Sequence, residues 1–342
     1  MTGDGRFDSE YHTPVMVGDV VRLLAGGHGN APRILDCTLG GGGHAAALLD
    51  AGAVVTGLDQ DPEAVAAAAA RLRQFVESGR FRALRVNFAD FAGASANPDG
   101  EQGAAATGAE AEGIPGATLL FDGILLDLGV SSHQIDVQSR GFSFRPGTPL
   151  GMRMDGQGPS AAEYLNGASR EEMAAAFKDF GDERKALRLA AEVVRRRETR
   201  PFVIADDLVG AIRAVLGARS GPADFARIFQ AVRIAVNDEI GSLARALPLL
   251  RDRLASSGVL VVITYHSGED RLVKHAFRDW SRSCICPPRQ PVCTCGGNNA
   301  LGSVVTRGGI TATADEILRN ARARSARLRA WRRTSATPDR VD

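Results

Sequence analysis

The feature that most constrains the fold is a run of four glycines, Gly40 to Gly43, which separates a short apolar segment from an alanine-rich stretch. The apolar segment, 33–37, contains Asp36 and has the character of a buried parallel strand. Glycines let a backbone turn tightly and approach a ligand closely. A second apolar segment, 53–58, is followed by Asp59, so two carboxylates are expected at one edge of a sheet. This pattern predicts a strand, turn and helix that bind a nucleotide-containing cofactor.

The residues around the turn distinguish two classes of cofactor. Gly40-x-Gly42-x-x-Ala45 satisfies the loose dinucleotide-binding pattern, in which the start of a helix receives a pyrophosphate. Asp36 favours another ligand, because a carboxylate repels a pyrophosphate but accepts hydrogen bonds from a cationic amine. S-adenosylmethionine carries such an amine and no phosphate. His44 either contacts the ligand or caps the helix.

The alternation of apolar segments predicts an α/β fold with a doubly wound, Rossmann-like sheet. The predicted strands lie at 33–37, 53–58, 82–87, 122–127 and 258–265. More than a hundred residues separate the last two strands, which is too long for a loop in a compact fold.

An inserted, all-helical domain is therefore predicted at 138–240, with 1–137 and 241–333 forming a discontinuous core. Amphipathic runs at Glu171–Phe180 and Leu187–Val194 predict two of its helices. A flexible insertion is expected at 93–117, which is rich in Gly, Ala and Glu, and a disordered tail at 334–342.

Composition excludes a membrane-spanning protein and gives no overall nucleic-acid signature. The 342 residues are 44% hydrophobic without a long unbroken apolar segment, so a soluble, cytoplasmic protein is expected. The formal net charge is only +1, but the segment Arg319–Arg333 contains seven arginines, no acid and Trp331. That segment is either a surface for phosphate contact and base stacking or a solvated basic tail.

The fourth predicted strand ends in Asp127, and polar residues follow it. Ligands of open α/β sheets bind beyond the carboxyl ends of the strands, so Asp127, Ser131, Ser132 and Gln134 are expected near the reacting group. A carboxylate or carbonyl there could accept the N–H bonds of an amine on a base ring and orient its lone pair. The alternative is that the serines cap a helix and Asp127 is only structural.

The fifth strand delivers Tyr265 and His266 to the same edge. His266 could accept a proton from a substrate. Ser267 is expected to cap the following helix, with Glu269 and Asp270 in its first turn. His12, beside Pro14 near the N-terminus, is a further candidate for the site.

Four cysteines form a cluster, Cys284-x-Cys286 and Cys293-x-Cys295. Four thiolates could hold zinc, but single-residue spacers are tighter than the usual two to four residues. Reduced thiols in a loop are therefore the default expectation, with no metal predicted. Cys37 is expected in the core.

The sequence resembles the MraW-like family of ribosomal RNA small subunit methyltransferases. The resemblance covers nearly the whole chain and is carried by the following segments: His12-Thr-Pro-Val-Met, Asp36-Cys-Thr-Leu-Gly-Gly-Gly-Gly-His, Leu58-Asp-Gln-Asp-Pro, Leu125-Leu-Asp-Leu-Gly-Val-Ser-Ser, Arg140-Gly-Phe-Ser-Phe, Met152-Arg-Met-Asp, Phe229-Gln-Ala-Val-Arg-Ile-Ala-Val-Asn, His266-Ser-Gly-Glu-Asp-Arg and Ala323-Arg-Ser-Ala. The family implies a class I methyltransferase fold and S-adenosylmethionine-dependent methylation of the N4 amine of a cytidine in the decoding region of 16S rRNA.

The resemblance also implies roles for individual residues. The implied cofactor contacts are Gly42, Gly43, His44, Asp59, Phe88, Asp127 and Gln134. For RNA contact the resemblance implies Arg140, Arg153 and Arg233, to which the arginine-rich segment adds Arg324. The candidates for catalysis, taken from the ends of the predicted strands, are Asp127, Ser131, Ser132 and His266. Gly151 departs from the family, which commonly has an aspartate there.

Three other functions remain open at this stage: a dehydrogenase with the same glycine turn, a non-catalytic RNA-binding protein, and a methyltransferase for another nitrogen nucleophile. Asp36 disfavours the first. The second leaves Asp59 and Asp127 without a role.

Overall fold

The structure is a computed structural model, and it describes residues 7, 13–26, 31–93, 119–287 and 289–334. Almost all of the predicted flexible insertion at 93–117 and of the predicted tail at 334–342 lies outside the described residues, as does His12.

One central sheet is found in the described part of the chain. Its strands are Arg33–Asp36 (β1), Val54–Asp59 (β2), Phe81–Arg85 (β3), Phe121–Asp127 (β4), Leu254–Thr264 (β5), Gly302–Val304 (β6), Ile310–Thr311 (β7) and Arg327–Arg333 (β8). Their order is β3-β2-β1-β4-β5-β8-β6, with β7 also paired to β8. Strands β1 to β5 are parallel, and β8 is antiparallel to its neighbours.

The five predicted strands are confirmed as β1 to β5, and with them the doubly wound arrangement. The largest difference is that β5 begins at Leu254 rather than at 258. Leu254 already pairs with Phe121, and the register then shifts before Gly123 pairs with Val259. An irregularity of this kind interrupts the apolar pattern and hides the start of a strand from the sequence.

The predictions of a solvated tail and of base stacking are wrong for the last seven residues of the arginine-rich segment, which form β8 and pair with β5. Trp331 is fully buried, so it cannot stack on a base. Its indole Nε1 donates a hydrogen bond to Ser281 Oγ (3.0 Å). Arg329 is buried as well and makes a bidentate ion pair with Asp270 (2.7 and 2.9 Å). Arg333 donates hydrogen bonds to the carbonyl oxygens of Asp252 and Leu254, and Arg327 and Arg332 are exposed, so β8 holds its other arginines without burying an unpaired charge.

The chain divides into two compact units, Met1–Gly129 with Ser242–Asp342, and Val130–Gly241. This division assigns 130–137, which were predicted as part of the core, to the helical unit.

The helices of the sheet unit are Val17–Leu24 (α1), Gly43–Asp50 (α2), Pro62–Arg71 (α3), Arg73–Glu77 (α4), Phe88–Gly93 (α5), Glu239–Asp252 (α12, which begins before the boundary), Ser267–Trp280 (α13) and Ala314–Arg319 (α14). The helices of the other unit are Ser132–Asp136 (α6), Ala161–Gly167 (α7), Arg170–Asp179 (α8), Ala186–Arg197 (α9), Ala205–Leu216 (α10) and Pro222–Val236 (α11). Short 3-10 turns occupy Gln138–Arg140 and Ala321–Ser325.

Both faces of the sheet are buried, as a parallel sheet requires. Neighbouring residues of β1 face opposite sides: Ile34 joins one apolar cluster and Leu35 the other. Cys37 is 2% exposed, which confirms its place in the core.

The helical unit has a core of its own, which includes Phe177 and Phe202. The predicted helices at 171–180 and 187–194 are confirmed as α8 and α9. Serines at the starts of α7 and α8 form capping boxes with the glutamates three residues later, which fixes these helix boundaries. Across the residues that the structure describes, no helix is both long and apolar enough to cross a membrane.

Candidate functional site

Four polar side chains gather at the carboxyl ends of the parallel strands. Asp36, Asp59 and Asp127 are the last residues of β1, β2 and β4, and Tyr265 directly follows β5. The strand order reverses between β1 and β4, and in open α/β sheets this point is where ligands bind. The chain thus places three acids around one topological switch point.

The glycine turn is held by Asp59. Asp59 Oδ2 accepts a hydrogen bond from the backbone N–H of Gly40 (2.8 Å), and Oδ1 accepts one from Asp61 (2.9 Å). Burial raises the pKa of the Asp59 carboxyl to about 6, although these amide hydrogen bonds act in the opposite direction. Asp59 is therefore fixed relative to the turn before any ligand arrives. Its contact with a cofactor stays a prediction.

Two of the glycines are required by packing. Gly42 has a φ of 74° and caps α2, and a Cβ on Gly43 would lie 2.8 Å from the ring of Pro14. No described atom lies within 4 Å of a Cβ built on Gly40, whose φ is 49°. The open side of the turn is thus at Gly40, whereas Gly42 and Gly43 let the start of α2 pack closely.

Asp127 joins three segments of the chain. Its Oδ1 accepts a hydrogen bond from the Tyr265 hydroxyl (2.8 Å), and its Oδ2 lies 3.3 Å from His44 Nε2 at the start of α2. Its backbone N–H donates to Thr38 Oγ1 (2.6 Å). The Asp127 side chain is only 7% exposed. The carboxylate is consequently held in one orientation at the end of β4.

The environment of Asp127 perturbs its two partners. Burial alone would lower the pKa of His44, but the hydrogen bond and charge of Asp127, together with Asp36, raise it above its ordinary value. Burial, and then the neighbouring Asp127, raises the pKa of Tyr265 far above its usual range, so this hydroxyl stays a donor. His44 is 4% exposed, and within the described residues its Nδ1 is buried without a hydrogen-bond partner.

Asp36 is a fully buried carboxylate beneath the turn. Its Oδ1 accepts a hydrogen bond from the Thr38 N–H (3.2 Å), whereas its Oδ2 has no partner among the described residues. Burial raises the pKa of Asp36 to about 6, and the charges of Asp127 and Asp59 add to this increase. Such a cluster of carboxylates attracts a cationic group and repels a pyrophosphate.

The remaining candidates in this unit occupy structural positions. Phe88 begins α5, directly beyond β3, and is half-buried against the apolar cluster that includes Leu35. His266, rather than the predicted Ser267, is the N-cap of α13, and its Nε2 lies 3.1 Å from Glu269 Oε1. Glu269 Oε2 also accepts a hydrogen bond from the Tyr265 N–H (2.8 Å), which explains the buried acid by capping. A catalytic role for His266 stays a prediction.

Ser131, Ser132 and Gln134 belong to the helical unit. Ser131 is the N-cap of α6: its Oγ accepts a hydrogen bond from the Gln134 N–H (3.2 Å), and Gln134 Oε1 accepts one from the Ser131 N–H (3.1 Å). This capping box accounts for the Ser131 hydroxyl and for the burial of Gln134. The roles of these residues in catalysis and cofactor binding stay predictions.

Arg140 and Arg153 stabilise a close backbone crossing. Arg140 donates to the carbonyl oxygens of Arg153 and the next residue (3.3 and 3.0 Å), and Arg153 donates to that of Gly158 (3.3 Å). A Cβ on Gly151 would lie 2.6 Å from the Arg140 carbonyl oxygen, and one on Gly141 would lie 2.4 Å from the Gly151 nitrogen. This close approach explains why position 151 is glycine here, where the family commonly has aspartate, because the backbone leaves no room for a side chain.

The other two RNA candidates differ in their surroundings. Arg233 forms a bidentate ion pair with Glu239 (2.8 and 3.0 Å), and the two side chains are 14% and 12% exposed. Arg324 is exposed in the second 3-10 turn. Contact of any of the four arginines with RNA stays a prediction.

Sequence reasoning missed Glu316 entirely. It lies on α14, its Oε1 accepts a hydrogen bond from the Met16 N–H (2.5 Å), and its charge acts on both His44 and Tyr265. The only signal in the sequence is Thr313-x-x-Glu316, which predicts a helix cap. The Tyr265–Asp127 bond was also missed, since no sequence pattern gives the distance between these side chains.

Comparison with known proteins agrees with the resemblance. Proteins named ribosomal RNA small subunit methyltransferase H are 56% identical over 323 residues in Gemmatimonas aurantiaca (94% of this chain, 95% of the relative) and 44% identical over 325 residues in Anaeromyxobacter dehalogenans (93% and 96%). The comparison with a solved rRNA methylase from Streptococcus thermophilus covers 93% of each chain at 8% identity with a TM-score of 0.39. The sequence profile of the MraW methylase family matches residues 9–334. This chain, with three acids at the switch point of its sheet, therefore belongs to the MraW methylase family.

Proposed function

We propose that this protein transfers a methyl group from S-adenosylmethionine to the N4 amine of a cytidine in the decoding region of small-subunit rRNA. The observation that carries the proposal is the cluster of Asp36, Asp59 and Asp127 with His44 at the switch point. Membership in the MraW methylase family and the names of the relatives supply the rRNA substrate. The fold is accordingly that of a class I S-adenosylmethionine-dependent methyltransferase.

The described residues fit this cofactor better than a dinucleotide. Asp36 Oδ2 and His44 Nδ1 are buried polar atoms without partners in the described chain, and the turn is open at Gly40. Asp36 suits an ammonium group, and Asp59, at the end of β2, suits ribose hydroxyls. When bound, the cofactor supplies a methyl group that is already activated by a sulfonium. A dehydrogenase would have to place a pyrophosphate beside these three carboxylates.

Asp127 is the proposed acceptor for the N–H bonds of the substrate amine. An amine conjugated to a base ring is a poor nucleophile, and a carboxylate that accepts its N–H bond increases the electron density on nitrogen and orients the lone pair. A carboxylate oxygen accepts more than one hydrogen bond, so the bond from Tyr265 leaves this capacity in place. Tyr265 and His44 act as positioning residues for Asp127.

The substrate side is assigned to the helical unit, with Arg140, Arg153 and Arg233 as candidate RNA contacts and Arg324 as a further one in the sheet unit. We further propose that the physiological partner is the small ribosomal subunit and that the reaction takes place in the cytoplasm. Arginine suits contact with phosphates because its guanidinium group donates in a bidentate manner.

The test is transfer of labelled methyl from S-adenosylmethionine to 30S subunits, to naked 16S rRNA and to an unrelated protein, followed by nucleoside analysis. Label is expected in N4-methylcytidine from one of the two RNA substrates, and the more active one identifies the form that is recognised. Asp127→Asn, which keeps the size of the side chain and removes its charge, should remain folded but transfer no methyl group. Label in protein alone, or in a nucleoside other than cytidine, would overturn the proposal.

A further inference from the structure

A loop between α13 and β6 contains four cysteines whose sulfur atoms converge. The Sγ–Sγ distances are 3.7 Å for Cys284–Cys293, 3.9 Å for Cys286–Cys293, 3.6 Å for Cys293–Cys295 and 3.7 Å for Cys284–Cys295. All four sulfurs lie within 4.8 Å of one another. Four cysteines without a common ligand in an exposed loop are not expected to place their sulfur atoms this close together.

The distances match one tetrahedral ion. A zinc–thiolate bond is about 2.3 Å long, so neighbouring sulfurs of a tetrahedral site are about 3.8 Å apart. Four of the six Sγ–Sγ distances, 3.6 to 3.9 Å, bracket that value, and the other two are no longer than 4.8 Å. An iron–sulfur cluster with four irons carries each thiolate on a different iron, and one with two irons carries two thiolates on each. Either cluster would hold sulfurs bound to different irons farther apart than 4.8 Å.

The residue between the two cysteines of each Cys-x-Cys segment also contributes to the cluster. Ile285, between the first two cysteines, donates its backbone N–H to Cys295 Sγ (3.4 Å), and Thr294, between the last two, donates to Cys286 Sγ (3.4 Å). Each Cys-x-Cys segment therefore supports a sulfur of the opposite segment. Such bonds orient metal ligands and stabilise the thiolate form. The tight spacing thus fits a site built from two reciprocal halves.

Hydrogen bonds from Asn299 to the Ser283 carbonyl and from Gln290 to the Thr294 hydroxyl connect parts of the loop, but the loop has little apolar packing. Two of its apolar side chains, Ile285 and Val292, are 61% and 71% exposed, so they contribute little to a core. The loop is about twenty residues long, and loops of this length without regular structure are uncommon in compact folds. A metal ion could supply the missing stabilisation, as it does in small domains that fold only around zinc.

We propose that Cys284, Cys286, Cys293 and Cys295 bind one structural Zn²⁺ ion. Four soft thiolates in a tetrahedron are typical of structural zinc sites, and with all four positions filled by protein the site has no place for a substrate. This assignment replaces the expectation of reduced thiols without a metal. It is independent of the proposed methyl transfer, because it concerns metal content alone.

The test is elemental analysis of the full-length protein after removal of any affinity tag and dialysis against a weak chelator. About one zinc per chain is expected, and less than about 0.2 is expected for the double variant Cys284→Ser/Cys295→Ser. Val292→Ala is the matched control, since this exposed residue of the same loop offers no ligand atom, and it should retain the metal. Less than about 0.2 zinc in the wild type, iron in place of zinc, or a mass that reveals disulfides would overturn the proposal.

A second measurement covers the case in which the double variant does not fold. Wild-type protein prepared with Co²⁺ should show the intense visible absorption of a tetrahedral cobalt thiolate, and added zinc should remove it in proportion to the amount bound. A weak, octahedral cobalt spectrum would contradict a four-thiolate site.

Discussion

The hydrogen bond between Tyr265 and Asp127 gives a sharp test of the proposed mechanism. Tyr265→Phe removes only the hydroxyl that donates to Asp127 Oδ1 over 2.8 Å and keeps the half-buried ring in place. The carboxylate then loses one of the contacts that fix its orientation. We expect methyl transfer to slow while the protein remains folded.

The size of the effect follows from the strength of the bond. A hydrogen bond to a charged group contributes about 1.5–3 kcal/mol. If this whole amount is lost from the transition state, kcat falls about 10- to 150-fold. A smaller decrease would mean that His44 and the Thr38 hydroxyl hold Asp127 almost as well without Tyr265.

The assay is single-turnover methyl transfer at saturating cofactor and RNA, together with urea unfolding of the same preparations. A double-mutant cycle of Tyr265→Phe with Asp127→Ala should show a coupling of about 1.5–3 kcal/mol in the free energy of unfolding. A kcat within about twofold of wild type would refute the positioning role. A large loss of activity with no coupling would mean that the hydroxyl acts on something other than Asp127.

Three further predictions concern acids and arginines of the sheet unit. Asp59→Ala should raise the Kd for S-adenosylmethionine about 10- to 150-fold by calorimetry, with kcat at saturating cofactor largely kept, because the turn and the ribose lose a charged acceptor. The pKa of Asp36 is about 6 in the folded protein and 3.8 in the unfolded chain, so the folded protein binds this proton more tightly. Ionisation of Asp36 therefore lowers the stability of the fold progressively as the pH rises from 3.8 to 6, and by the full amount at higher pH. Asp36→Asn should therefore stabilise the protein by about 3 kcal/mol at pH 8 and by almost nothing near pH 4, as measured by urea unfolding at each pH. An equal change in unfolding free energy at the two pH values would mean that Asp36 is not a buried carboxylate with a raised pKa. Arg329→Ala should cost about 3 kcal/mol, because it leaves Asp270 without its bidentate partner, whereas Arg332→Ala, at an exposed position of the same strand, should change stability by less than about 0.5 kcal/mol.

The parallel part of the sheet could be predicted because its strands are buried on both faces. Such strands appear as short apolar runs, and the rule that ligands bind at their carboxyl ends placed Asp36, Asp59 and Asp127 together. The strand at 327–333 was missed because arginines dominate it. Leu328 and Ala330 show the alternation of a strand, but the burial of Arg329 depends on Asp270, which lies far away in the sequence.

The contacts inside the site could not be predicted, for a geometric reason. Asp127 pairs in register with Ile263, so the Tyr265 hydroxyl must reach back from two residues beyond that position. Neither the register of β4 and β5 nor the direction of this side chain follows from local sequence. Glu316 was missed for the same reason, since it approaches His44 from a helix near the other end of the chain.

The position of β8 has a consequence for the order in which this protein can fold. β8 lies between β5 and β6, yet it is the last strand to be synthesised. The entire helical unit is synthesised before β5, and it has its own apolar core on which to fold. One edge of β5 then presents unpaired backbone groups until Arg333 has been added, and such an edge favours pairing with other chains. A nascent chain that stops at about residue 326 should therefore aggregate through β5 with its helical unit already folded.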